Sequence, residues 1–180
     1  MQRRNFLSTS VVLGSTLTQV SAKTNQAQTT PFVIRSGESR FQESTQVGLS
    51  PNNIKVSSKD TNGLLTVFEY VGKEKGGPPL HIHPNQDEIF FIVEGEYLFQ
   101  VGKEQYRLKA GDTIFLPRNI PHAFAQTSSN GKLFFMFQPS GKMEDFFRAL
   151  GALKTQPTPE EGARIFAAHD MQVVGPPLQF

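Results

Sequence analysis

The chain of 180 residues contains no cysteine and no tryptophan. The first absence excludes a disulfide scaffold, a thiolate metal site and a cysteine nucleophile. The second leaves 16 Phe, beside 3 Tyr, to supply most of the aromatic core volume. No stretch approaches the roughly 18 consecutive apolar residues that a membrane span requires. Excess charge of one sign is also lacking, with 18 Lys and Arg against 16 Asp and Glu. Residues 1–22 hold Arg3 and Arg4 and no acid, so the remainder balances at 16 of each. No basic stripe with interleaved aromatics remains, and nucleic acid is not an expected partner. With Gly counted and Tyr left out, the apolar share is about 44%, just under the roughly 45–50% of globular chains. Such a chain can bury the core of a single domain.

The first residues read as a leader. Arg3-Arg4 is followed by Asn5-Phe6-Leu7, a mildly apolar Ser/Thr-rich stretch, and the small-residue exit Val20-Ser21-Ala22. That order is the signature of a secretory signal peptide over residues 1–22. The arginine pair before Phe6-Leu7 resembles a twin-arginine export signal, which implies a periplasmic or otherwise exported protein. Such a route carries folded chains, so a cofactor could enter before export. Residues 23–31 are polar and read as a linker.

From 32 to 140 the pattern is of short β-like runs separated by Gly, Pro and Asn. Leu64–Val71, Glu88–Val93, Tyr97–Val101, Gln105–Leu108, Thr113–Leu116 and Leu133–Phe137 are the clearest. Many short strands without intervening helices predict an antiparallel barrel or sandwich. Glu94-Gly95-Glu96 and Ser128-Ser129-Asn130-Gly131 read as hairpin turns. Residues 141–180 differ. Met143, Phe146, Phe147 and Leu150 stand at helical spacing, and Thr158-Pro159 opens a second helix running to about His169. Gly175-Pro176-Pro177 reads as its stop. The two helices are expected to pack outside the barrel.

Three of the four histidines carry the chemical signal. His81-Ile82-His83 lies in a β-like segment, and the period of two puts both imidazoles on one face. Glu88 follows at the start of the next apolar run, and His122 comes after Pro117 and Pro121. Three imidazoles and a carboxylate suit a divalent transition metal, with positions left for water or substrate. The spacing His81-x-His83, four residues, Glu88, six residues, Gly95 resembles the first motif of the cupin family. Gly111, five residues, Pro117, then His122 resembles its second. There are departures: Lys75 stands where a glycine is usual, Asn119 replaces another, and Gln126 replaces an asparagine. Asn tolerates the left-handed backbone that Gly supplies, so the Asn119 change is mild.

The resemblance implies an all-β fold, the double-stranded β-helix or jelly-roll barrel of cupins, over residues 32–140. A short C-terminal helical appendage over 141–180 is similar to that of quercetin-dioxygenase-like single-domain cupins. It implies one divalent metal ion (Fe, Mn, Ni, Co, Cu or Zn) held by His81, His83, Glu88 and His122; Glu88, the only acid among them and the only one with a second donor atom to spare, is also the expected catalytic base. The expected activity is that of an oxidoreductase acting on a small enolic or phenolic molecule. An isomerase or decarboxylase, and a small-molecule-binding protein without turnover, are the alternatives. Cupins also form homodimers through exposed barrel strands, though no interface is located in this sequence. The remaining candidates read as structural. His169 suits a helix C-terminus, Glu94 and Glu96 suit a solvated turn, and Phe90, Phe91, Phe99, Phe115 and Phe124 suit a core rather than an aromatic pocket.

Overall fold

Alternation of buried and half-exposed positions is clearest in the segment 131–138, although Leu133-Phe134-Phe135-Met136-Phe137 is apolar throughout. There Leu133, Phe135 and Phe137 are buried while their neighbours lie nearer the surface. Period-two burial of this kind is what a strand with one face on the core imposes. The computed structural model describes residues 30–180, so the leader and almost all of the linker lie outside the described residues.

The described residues form two antiparallel sheets. Strands β1 (Ser44–Val47), β2 (Ser50–Val56), β3 (Thr66–Gly72), β4 (Pro79–Ile82), β5 (Asp87–Glu94) and β6 (Glu96–Val101) are followed by β7 (Glu104–Lys109), β8 (Thr113–Leu116), β9 (His122–Gln126) and β10 (Gly131–Gln138). Helices α1 (Met143–Gly151) and α2 (Pro159–Ala168) precede a last strand, β11 (Gln172–Pro177). One sheet has the order β1-β2-β3-β10-β5-β8 and the other β11-β4-β9-β6-β7. Chain neighbours β5 and β6 lie in different sheets, as do β9 and β10. This is the double-stranded β-helix that the motifs imply.

Two corrections follow from that topology. Glu94-Gly95-Glu96 and Ser128–Gly131 are turns, but each crosses from one sheet to the other rather than closing a hairpin. Turn chemistry marks where the chain reverses and says nothing of which strand it pairs with next. The second concerns residues 172–177, within which Gly175-Pro176-Pro177 reads as a stop in the sequence. They pair with β4 through Gln172↔Ile82 and Val173↔His81. Proline is tolerated there because β11 is an edge strand and needs fewer backbone donors. Strands β1 and β2 also escape the sequence pattern, since Pro51-Asn52-Asn53 interrupts the apolar alternation of β2.

Phenylalanine fills the interior, as the composition requires. Phe68 is fully buried, stacked on Phe135 at 5.0 Å between ring centroids, with Phe147 at 4.8 Å. Phe90 and Phe99 are buried and Phe124 is packed against them, whereas Phe91 and Phe115 are 40% and 56% exposed on the outer face. Strand alternation explains the split, because β5 buries Phe90 and turns Phe91 outward.

The helices form where the spacing places them. In α1 Met143, Phe146 and Phe147 are buried. The expectation that they lie outside the barrel is corrected in part, since Phe147 enters the cluster of Phe68, Phe135 and Phe137. Helix α2 begins with Pro159 behind a capping box. The Thr158 hydroxyl accepts from the Glu161 N–H at 3.2 Å, and the Glu161 carboxylate accepts from the Thr158 N–H at 2.9 Å. Both orphan donors are thereby satisfied.

Candidate metal centre

Two sheets meet at the four predicted residues. His81 lies in β4 and His83 just beyond its end, while His122 opens β9 directly opposite His81 in the register. These three come from the five-stranded sheet. Glu88 comes from β5 of the other sheet, paired with Phe137 on β10. Inward-pointing positions of the two sheets therefore converge, although His122 is 34 or more residues away from the other three in the chain.

Convergence is tight. One ligand atom from each of His81, His83, Glu88 and His122 lies within 4.8 Å of all the others. The Nε2 atoms of His81 and His83 are 3.1 Å apart. Glu88 Oε2 stands 3.2 Å from His122 Nε2 and 3.7 Å from His83 Nε2. All four residues are buried, none being more than 6% exposed.

Backbone carbonyls fix two of the ring tautomers. The His81 Nδ1–H donates to the Pro79 carbonyl at 2.8 Å, and the His122 Nδ1–H donates to the Ile120 carbonyl at 2.9 Å. A carbonyl can only accept, so in the neutral rings each Nε2 carries a lone pair aimed at the cluster. His122 Nε2 accordingly has no hydrogen-bond partner of its own. It faces a Glu88 oxygen, and with that carboxyl ionised two acceptors confront each other, which a shared proton or a cation between them would reconcile. The donor set fits a divalent transition metal on that ground.

His83 is held differently. Its Nδ1 and the Gln86 Oε1 are both buried and both without a completed hydrogen bond. The Gln86 side chain nevertheless lies near enough to oppose the fall in the His83 pKa. Gln86 is a neighbour of the cluster that sequence reasoning missed.

Electrostatics favour the metal-binding forms of the rings. Burial pushes the His81 imidazole down to about 3, helped by its neighbour His122. Burial, with His81 and His122 alongside, pushes His83 down to about 2. Both rings are neutral at pH 7 and ready to donate a lone pair. Burial raises the Glu88 carboxyl above its ordinary value, against the pull of His122. A cation would reverse that shift.

The walls are aromatic, though not with the phenylalanines first considered. Phe137 lies 5.3 Å from the His83 ring and Phe166 lies 5.2 Å from the His81 ring. The sequence places Phe166 within the second predicted helix, but only the tertiary structure shows that it meets a histidine. His169 stays outside the cluster, capping α2 with Nδ1 on the Ile165 carbonyl at 2.8 Å. Gln126 sits at the far end of β9, donating to the Ser128 carbonyl at 3.0 Å, so its departure from the motif does not touch the ligands. Asn119 adopts the left-handed backbone, φ 64°, that a glycine would otherwise supply.

Comparison with known proteins agrees with this geometry. Residues 67–137 match the family model of the cupin domain. Quercetin 2,3-dioxygenase of Bacillus subtilis (strain 168) is 23% identical over 121 residues, covering 67% of this chain. The chain spans only 35% of that relative's length. The tetracenomycin polyketide synthase protein TcmJ of Streptomyces glaucescens is 25% identical over 121 residues, covering 67% of this chain and 74% of the relative. Among solved structures, an RmlC-like cupin from Shewanella frigidimarina superposes with a TM-score of 0.53 and 23% identity, covering 67% of this chain and 99% of the other. Residues 67–137 thus match the cupin domain, the Shewanella frigidimarina structure shares the fold, and the His/His/Glu/His cluster could hold a metal ion.

Proposed function

We propose that the protein is a metal-dependent oxidoreductase acting on a small enolic or phenolic substrate, in the manner of a dioxygenase. The observation that carries this reading is the buried convergence of four lone-pair donors from two sheets. Similarity to a quercetin 2,3-dioxygenase supports the reaction class. A divalent ion held by His81, His83, Glu88 and His122 would supply Lewis-acid and redox chemistry to a bound oxygen donor. The protein's own share is threefold. The neutral imidazoles present lone pairs, Phe137 and Phe166 keep water away, and Glu88 has a second carboxylate oxygen that can take a substrate proton.

Oxygen uptake tests the class. Protein loaded separately with Fe, Mn, Ni, Co, Cu and Zn is expected to consume dioxygen together with a flavonol or related enol for at least one metal. Substrate loss without oxygen uptake would instead indicate an isomerase or decarboxylase. Tight binding without turnover would indicate a binding protein.

The proposal extends to location. Arg3-Arg4 before Phe6-Leu7 supports export by the twin-arginine route into the periplasm. Replacing both arginines by lysine should hold the precursor in the cytoplasm, and undiminished export of that variant would remove this part of the reading.

A further inference from the structure

Helix α2 is weakly tied to the barrel. Of its ten residues only Phe166 is buried, whereas α1 buries Met143, Glu144, Phe146 and Phe147. The connection from α1, residues 152–158, is exposed along almost its whole length. A ten-residue helix has little stability of its own and depends on what its buried face meets. Here that face meets the metal centre. The Phe166 ring stands edge-on to His81 at 5.2 Å and to Phe146 at 4.9 Å. His81 is only 6% exposed beneath it.

We propose that α2 is the door of the site and Phe166 its latch, setting what can reach the His81 side of the cluster. This rests on the reading of the cluster as a metal centre and adds a residue that controls access. Segments held by few buried contacts open locally at far lower cost than the fold as a whole. The latch contributes one aromatic side chain's burial, and α1 stays packed on Phe68 and Phe135 when it lets go. At the other end of α2 the chain turns at Asp170 (φ 63°) onto Met171, which is 2% exposed and remains fixed. The helix thus has an exposed connection at one end and an anchored turn at the other. A planar aromatic or enolic molecule is the class this door admits, because it can take the place of the Phe166 ring against His81.

The test uses the full chain and two readouts. Release of bound metal to excess chelator is followed in wild type, Phe166→Ala, Phe166→Leu and Phe68→Leu. The last variant weakens the core without touching α2. Phe166→Ala should release metal about tenfold or more faster than wild type, with Phe166→Leu between the two and Phe68→Leu close to wild type. Equilibrium metal affinity should be unchanged, because a door alters entry and exit alike. Carbethoxylation of His81 by diethylpyrocarbonate, read by peptide mass, should accelerate in Phe166→Ala by a similar factor. Equal acceleration in Phe68→Leu would show general loosening and overturn the proposal, as would wild-type rates in Phe166→Ala. Should the protein take up no metal, the metal reading fails, and the His81 modification rates still decide whether α2 is a door.

Discussion

Glu88→Gln is expected to keep much of its metal and to lose about 10²-fold or more in turnover per bound ion, within the range that general-base assistance supplies. Glutamine preserves the shape and offers a neutral oxygen donor but cannot accept a substrate proton. The imidazoles cannot replace it. His81 and His122 have their Nδ1 atoms engaged with backbone carbonyls. Their Nε2 lone pairs point to the shared centre, where His83 also offers a ring nitrogen. Glu88 alone has a second atom to spare, and burial already raises its carboxyl. Turnover should be divided by metal content measured on the same sample. Equal rates per ion in wild type and Glu88→Gln would leave Glu88 as a ligand alone.

Phe68→Ala should cost about 3–5 kcal/mol of unfolding free energy, read from denaturant midpoints of the metal-free protein. The side chain is fully buried and meets Phe135, Phe137 and Phe147, so its removal leaves a void bounded by two strands and α1. Little can collapse into that space, since β3 and β10 are fixed by their register, Phe68 opposite Phe135. Phe115→Ala is the natural comparison. Its ring is 56% exposed on the edge strand β8, and its loss should change stability by less than about 0.5 kcal/mol, the ordinary range for surface substitutions. A similar cost at both positions would contradict the division between inner and outer faces.

These two positions also show how far the sequence can be read. Short runs rich in β-branched and aromatic residues mark β3, β5 and β10, and that local pattern suffices to place the strands. Strand β2 defeats the pattern because it buries the polar side chains Asn52, Asn53 and Lys55, the last two with hydrogen-bond partners. The Ser44 hydroxyl donates to Asn53 Oδ1 at 2.7 Å, and buried Lys55 donates to Glu69 at 3.0 Å. Strand β11 defeats it because an edge strand tolerates Pro176 and Pro177. The four candidate ligands are legible because their spacing follows from strand geometry and a known motif. What surrounds them is not legible in the same way. Gln86 lies within the first motif, but its position beside His83 depends on a loop conformation. Phe166 is more than 80 residues beyond His81, and nothing local records that α2 folds back onto that ring.

Metal content of the purified protein decides the central claim most directly. Elemental analysis of wild type, His122→Ala and His169→Ala, each isolated from the same host and titrated with the same ions, is the measurement. One ion per chain is expected in wild type and in His169→Ala. In His122→Ala the stoichiometry should fall well below one, because Glu88 Oε2 loses the ring that faces it at 3.2 Å. Full stoichiometry and affinity in His122→Ala, or loss of metal in His169→Ala, would contradict the assignment of the centre to His81, His83, Glu88 and His122.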